Sequence, residues 1–135
     1  MSVHAQQGID SLRALLDTAS GTARFELLLA ASEESAHPPT AASALEWSRE
    51  AEELAKEYPG TDFSCRARLA VGRSLFFAAE YTKAIDYLNT SITLCGGDEN
   101  SLLYGNYMFW HAWSHVQVAQ LDSGEVLFER SLRIA

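Results

Sequence analysis

Apolar residues recur along this chain at intervals of three and four, and glycine and proline mark the gaps between the periodic stretches. Ile9, Leu12, Leu15 and Leu16 form a short stripe that ends at Ser20-Gly21. The stretch from Thr22 to Ser35 is rich in strong helix formers, and His37-Pro38-Pro39-Thr40 interrupts it. A helix follows over 40–57, since proline is tolerated in a first turn and Ala44, Trp47, Ala51 and Leu54 share one face. Tyr58-Pro59-Gly60-Thr61-Asp62 is a stop signal. The pattern then predicts helices over 63–79 and 81–94 around a tight turn at Glu80, a break at Gly96-Gly97-Asp98, and helices over 100–120 and from 123 onward. No segment alternates apolar and polar residues between turn signals, so no strand is expected. The prediction is all-α: seven helices, six of them in three hairpins.

The hairpins repeat one another at an offset of 40 residues. Ala79 falls on Ala119, Tyr81 on Leu121, Ala84 on Gly124, Tyr87 on Leu127, Leu88 on Phe128, Ser91 on Ser131 and Leu94 on Ile134. The same subtraction lands on Ala44, Trp47, Ala51 and Leu54, which gives a third copy upstream. Small residues stand where paired helices cross, Gly72 and Ala84 in one copy and Ala112 and Gly124 in the next. One hairpin cannot bury its apolar face alone, so the copies are expected to stack. The chain is therefore read as a single domain, with a leading helix at about 7–19 and repeats at about 22–57, 63–95 and 100–135.

At these positions the sequence resembles the tetratricopeptide repeat family. The middle copy offers Val71, Gly72 and Leu75, then Tyr81, Ala84, Leu88 and Ser91; the last offers His111, Ala112 and His115, then Leu121, Gly124, Phe128 and Ser131. The first is looser, with Leu28, Leu29 and Ala31 before the proline insertion and Ala44, Ala51 and Leu54 after it. The period is 40 rather than 34, and the proline that often closes a repeat is missing, with Gly96 near its place. The resemblance implies a right-handed stack of three hairpins behind a short N-terminal helix, and a protein- or peptide-binding role. The order of a leading helix, a leucine-rich segment and repeats also resembles the N-terminal regions of bacterial signalling proteins. That implies a sensory or scaffolding part of a larger chain.

Charge narrows the partners. The net charge is −8, and within the first 60 residues Arg13, Arg24, Arg49 and Lys56 are the only basic residues against ten acids. Phosphate neutralisation needs the opposite sign, so neither nucleic acid nor an anionic membrane is an expected partner. The opening residues lack the basic-then-apolar layout of a secretory signal, and no apolar run reaches membrane-spanning length. A cytoplasmic location follows as the expectation. Cys65 and Cys95 open one helix and end the next and so could meet, but reduced thiols fit that compartment better.

Several groups invite chemistry. Gly96-Gly97-Asp98-Glu99-Asn100 is similar to the GGDEF signature of diguanylate cyclases, yet it sits between helices and reads as a capped turn. His111 and His115 have a spacing that can hold a metal, but no third ligand accompanies them. They occupy the repeat positions of Val71 and Leu75 and are expected to be partly buried core residues. Glu46, Glu50, Glu53 and Glu57 form a solvated helix face, with Arg49–Glu53 and Glu52–Lys56 as i,i+4 pairs. Of Tyr107, Phe109, Trp110 and Trp113, at least one aromatic should reach the surface. No nucleotide-binding, serine-hydrolase or cysteine-rich metal pattern is present, so neither enzymatic activity nor a cofactor is expected.

The resemblance places a partner-binding groove on the first helix of each hairpin. By position this gives Arg66, Leu69, Arg73, Phe76 and Phe77, then Asn106, Phe109, Trp113 and Gln117. Arg66 and Arg73 lie two turns apart, so they could receive an acidic or C-terminal carboxylate ligand. They could equally pair with acids of the neighbouring hairpin. The alternative is a homodimer formed through Val126, Leu127, Leu132 and Ile134, which nothing downstream covers. A metal or small-molecule sensor built on the histidine pair is the remaining reading.

Overall fold

A computed structural model describes the backbone of residues 3–95 and 101–134 and the side chains of residues 8–95 and 101–122. Among these residues the fold is all-α. It comprises α1 (Val3–Thr18), α2 (Gly21–Ser35), α3 (Ala41–Ala55), α4 (Phe63–Phe77), α5 (Tyr81–Cys95) and α6 (Leu102–Ile134). Consecutive helices pack on one another from α2 to α6, and α4 also touches α2 and α6. The recurrence survives in the boundaries, because α5 begins and ends 40 residues after α3.

Spacing and residue size explain the packing. On α2, Phe25, Leu28, Ala31 and Ser32 are buried at intervals of three, three and one, and α3 answers with Ala44, Trp47, Ser48 and Ala51. Of these, Phe25, Leu28, Ala31, Trp47 and Ala51 join Ile9 and Leu16 of α1, Ala55 of α3 and Ala67 of α4 in the principal core. Alanine, serine and glycine at the crossings let the helix axes approach. Gly72 shows the limit: a Cβ added there would lie 2.2 Å from Leu88 Cδ2, so only glycine fits beneath that leucine. Where α2, α3 and α4 meet, three buried serines, Ser32, Ser48 and Ser74, satisfy one another and the backbone, with Ser48 donating to the Leu45 carbonyl at 2.9 Å. Ser32 donates to the Ala44 carbonyl at 3.1 Å, Ser74 to that of Ala70 at 2.8 Å, and the Ser32 and Ser74 hydroxyls lie 3.3 Å apart. Burying those hydroxyls unpaired would be costly.

The α4–α5 turn is a Schellman closure. The Ala79 amide donates to Phe76 and the Glu80 amide to Leu75, both at 3.0 Å, with Ala79 at φ 62°. Glycine is the residue that usually adopts this conformation, and alanine holds it at a cost of about 1–2 kcal/mol. Ala79→Gly should therefore raise stability by about 0.5–1 kcal/mol after glycine's larger unfolded-state entropy is subtracted. A urea midpoint at or below that of the wild type would contradict this.

Two expectations need correction. First, Cys65 and Cys95 are not free thiols: their sulfurs are bonded, with the Cα atoms 5.7 Å apart. Cys65 lies in the first turn of α4 and Cys95 ends α5, so an antiparallel pair brings them to the same end. Second, the last two predicted helices are one. The 33-residue α6 runs through the region 120–123 where a turn was expected. The counterpart of the α4–α5 turn is Val118-Ala119-Gln120, which has neither glycine nor proline to force a break. Continuing the helix avoids a second alanine in the left-handed conformation. The third repeat is thus an extended helix rather than a hairpin. No described helix is long and apolar enough to cross a membrane.

Candidate functional site

A groove of about 530 Å³ runs between α2, α4 and α6. It follows from helical periodicity: Arg66, Leu69, Ala70 and Arg73 recur at three, one and three along α4 and so form one face. Glu26, Leu29, Ala30 and Glu33 make the matching stripe on α2. The first turns of α6 supply Leu102, Leu103 and Asn106. The result has leucines on every wall, two acids, two guanidiniums and one amide.

The two arginines differ in state. Arg66 reaches Glu26 of the neighbouring hairpin through two parallel bonds, Nη1 to Oε1 at 2.8 Å and Nη2 to Oε2 at 2.7 Å, with Asp62 at 3.9 Å. It also lies 5.5 Å over the Phe25 ring and 5.7 Å over Phe63. The bidentate bond from Arg66 is the main cause of a Glu26 carboxyl held below its usual range. Arg73 has no such partner among the described residues, and its Nε is buried without a hydrogen bond. Burial depresses its guanidinium below the usual range, and the charge of Glu33 opposes that shift only in part. Glu33 lines the same groove and acts on Arg73 through its charge without a hydrogen bond to it, so the guanidinium keeps a planar donor fork suited to a carboxylate.

Four of the nine predicted groove residues line the cavity: Arg66, Leu69, Arg73 and Asn106. The other five are elsewhere. Phe76 and Phe77 end α4 in an aromatic cluster, each with its centroid 5.3 Å from that of Trp110, and Phe76 also meets Tyr81 at 5.4 Å. Phe109 and Trp113 lie one and two turns beyond Asn106, past the cavity, and are 52% and 45% exposed. Gln117 is a further turn along, half-buried. Sequence reasoning missed the whole α2 wall and Leu102 and Leu103. The 40-residue offset does carry Arg66, Leu69, Ala70 and Arg73 of α4 onto Glu26, Leu29, Ala30 and Glu33 of α2, so the signal for this wall was present in the repeat register.

Of the two histidines expected to be partly buried, His111 is so and His115 is not. His115 is exposed and His111 half-buried, with ring centroids 4.7 Å apart. They face outward because α6 has no helix folded back over them, unlike Val71 and Leu75 beneath α5. Desolvation and then the neighbouring His115 hold His111 below the usual imidazole range. No cluster of three or more metal-ligating side chains occurs among the described residues. The acidic face of α3 is used for ties between helices: Glu50 pairs with Arg24 at 3.0 Å and Glu52 lies 3.6 Å from Arg68, while Lys56 takes Glu53 at 2.8 Å in place of Glu52. Residues 96–100, with the glycine-rich turn, and the side chains of Val126, Leu127, Leu132 and Ile134 lie outside the described residues.

Comparison with known proteins adds no identity to this geometry: no family model, no curated protein and no solved structure matches the chain.

Proposed function

We propose that the chain is a protein- or peptide-binding helical module whose ligand lies in the groove between α2, α4 and α6. The observation that carries this is Arg73, a partly buried guanidinium on the groove wall with an unpartnered Nε. No described acid bonds this guanidinium, and a ligand carboxylate in the groove is the chemical match for its donor fork. Arg66 is committed to Glu26, so it shapes the wall rather than receiving the ligand. Leu29, Leu69, Leu102 and Leu103 favour apolar ligand side chains, and Asn106 can both donate to and accept from a peptide backbone. The ligand read from this chemistry is an extended segment with leucine-like residues beside an acidic side chain or a free C-terminus. A sensory or scaffolding place in a larger signalling chain is the setting in which such a module would serve.

Fluorescence anisotropy with labelled leucine-rich peptides, carrying either a free or an amidated C-terminus, tests this. Arg73→Ala should weaken binding of the carboxylate peptide about 10- to 100-fold, the value of a hydrogen bond to a charged group. Helicity by circular dichroism should be unchanged. Equal affinity of wild type and variant would remove Arg73 from the site. Equal affinity for the amidated peptide would move the contact from a C-terminus to an acidic side chain.

A further inference from the structure

We propose that the groove between α2, α4 and α6 reads two opposite charges at once: Arg73 takes the carboxylate at the end of a bound segment, and Glu33 takes a cationic side chain beside it. Given that the groove is a peptide site, on which this rests, the ligand is a C-terminus whose last residue is lysine or arginine, with a leucine-like residue before it. Two glutamate–arginine pairs line the groove in one register. Glu26 and Arg66 form the first, and Glu33 and Arg73 form the second, seven residues further along each helix. The members of each pair stand 40 residues apart, so these are two occurrences of one arrangement.

One pair is closed and the other open. Arg66 makes two parallel bonds to Glu26, at 2.8 and 2.7 Å. Glu33 is near enough for its charge to act on Arg73, yet no hydrogen bond or ion pair joins them, and neither side chain has another such partner among the described residues. The difference lies in what holds the guanidinium. Arg66 rests on the rings of Phe25 and Phe63, 5.5 and 5.7 Å from their centroids, and they aim it at Glu26. Seven residues on, the same two places are taken by Ser32 and Ala70. Both are buried, the serine bonded to the Ala44 carbonyl, and neither offers a ring. Arg73 therefore keeps its donor fork, and Glu33, an exposed residue, keeps its carboxylate.

An open pair of this kind matches a ligand that carries the reverse pair. A carboxylate alone satisfies Arg73 but is repelled by Glu33, and a cation alone satisfies Glu33 but leaves Arg73 unbonded. Lysine or arginine at a free C-terminus holds both charges on one residue. The walls set the rest. Seven residues of helix place the open pair about 10 Å from the closed one, and an extended chain covers that distance in roughly three residues. Leu29 and Leu69 lie between the two pairs along their helices, where the residues before the last would pass, and Leu102 and Leu103 add an apolar wall from α6. A free amino acid would leave that apolar stretch empty, so the end of a peptide is the better fit.

Fluorescence anisotropy with three N-terminally labelled peptides tests this, each with two leucines before a C-terminal lysine, glutamine or glutamate and a free carboxylate. The wild-type chain should bind the lysine peptide about 3- to 5-fold more tightly than the glutamine one, the upper range for a solvent-exposed ion pair, and the glutamate peptide least. Glu33→Gln should level lysine and glutamine, and Glu33→Lys should put the glutamate peptide first. Glu57→Gln makes the same change of net charge at an exposed acid outside the groove and should leave the order intact. Equal binding of the three peptides by the wild type, with Arg73→Ala still weakening them all, would overturn the charge-pair reading and leave the peptide site standing. So would a lysine preference that persists in Glu33→Gln or disappears in Glu57→Gln. If none of the peptides binds, the peptide site itself fails and the charge pair with it.

Discussion

Phe25→Ala should lower the stability of the chain by about 3–5 kcal/mol, the cost of emptying a fully buried aromatic site. Phe25 has no exposure and stacks on Phe63 with centroids 4.2 Å apart and the rings 5° from parallel. It therefore joins α2 to α4 at the centre of the principal core. Total stabilities lie at about 5–15 kcal/mol, so this single change takes a large share of the whole. It also reaches the groove, because the guanidinium of Arg66 rests on both rings before it turns to Glu26. Phe25→Leu keeps most of the volume and should cost less than half as much. Urea unfolding of the two variants checks the pair, and equal losses would mean that the stacking geometry matters more than the volume.

Removal of the Cys65–Cys95 bond should have an effect of similar size. The bond closes a loop over a sequence separation of 30 residues, and chain-entropy reasoning places its contribution at about 3–4 kcal/mol. The double variant Cys65→Ser with Cys95→Ser should melt on the order of 10 °C lower than the oxidised chain. Hydrogen exchange should speed at both ends of the α4–α5 pair and in the first turns of α6, since the Tyr107 hydroxyl donates to the Cys65 carbonyl. The oxidised and reduced wild-type chains should differ by the same amount as the variant and the oxidised chain. Identical melting of all three would show that the crossing of α4 and α5 holds that end without the bond.

Periodicity carried most of the helical frame. The intervals of three and four that buried Ala44, Trp47 and Ala51 are the ones that the sequence displays. The break at Tyr58-Pro59-Gly60 was visible because proline and glycine act locally. The turn at Ala78-Ala79-Glu80 was legible only through its place between two apolar stripes, and the same logic failed at Val118-Ala119-Gln120. Whether an alanine turns left-handed depends on what the returning helix gains by packing, and that is a tertiary quantity. Four of the eleven residues lining the groove were legible for a related reason. Arg66 and Arg73 share a helical face that any helical wheel shows, whereas Glu26 becomes a wall only when α2 lies beside α4. The cysteines were judged by compartment rather than by position, although their places at the two ends of an antiparallel pair already put them in reach.

Tyr107 and Ser114 are the two buried side chains of α6 among the described residues, seven positions apart and thus on one line along the helix. They act as the two teeth of a key and set the angle at which this long rod is turned. Asn106 faces the groove only while that angle holds, and the same angle sends Phe109 and Trp113 outward beyond it. A partner that grips the distal half of α6 and twists it would rotate the groove wall at the other end, with no contact to the groove itself.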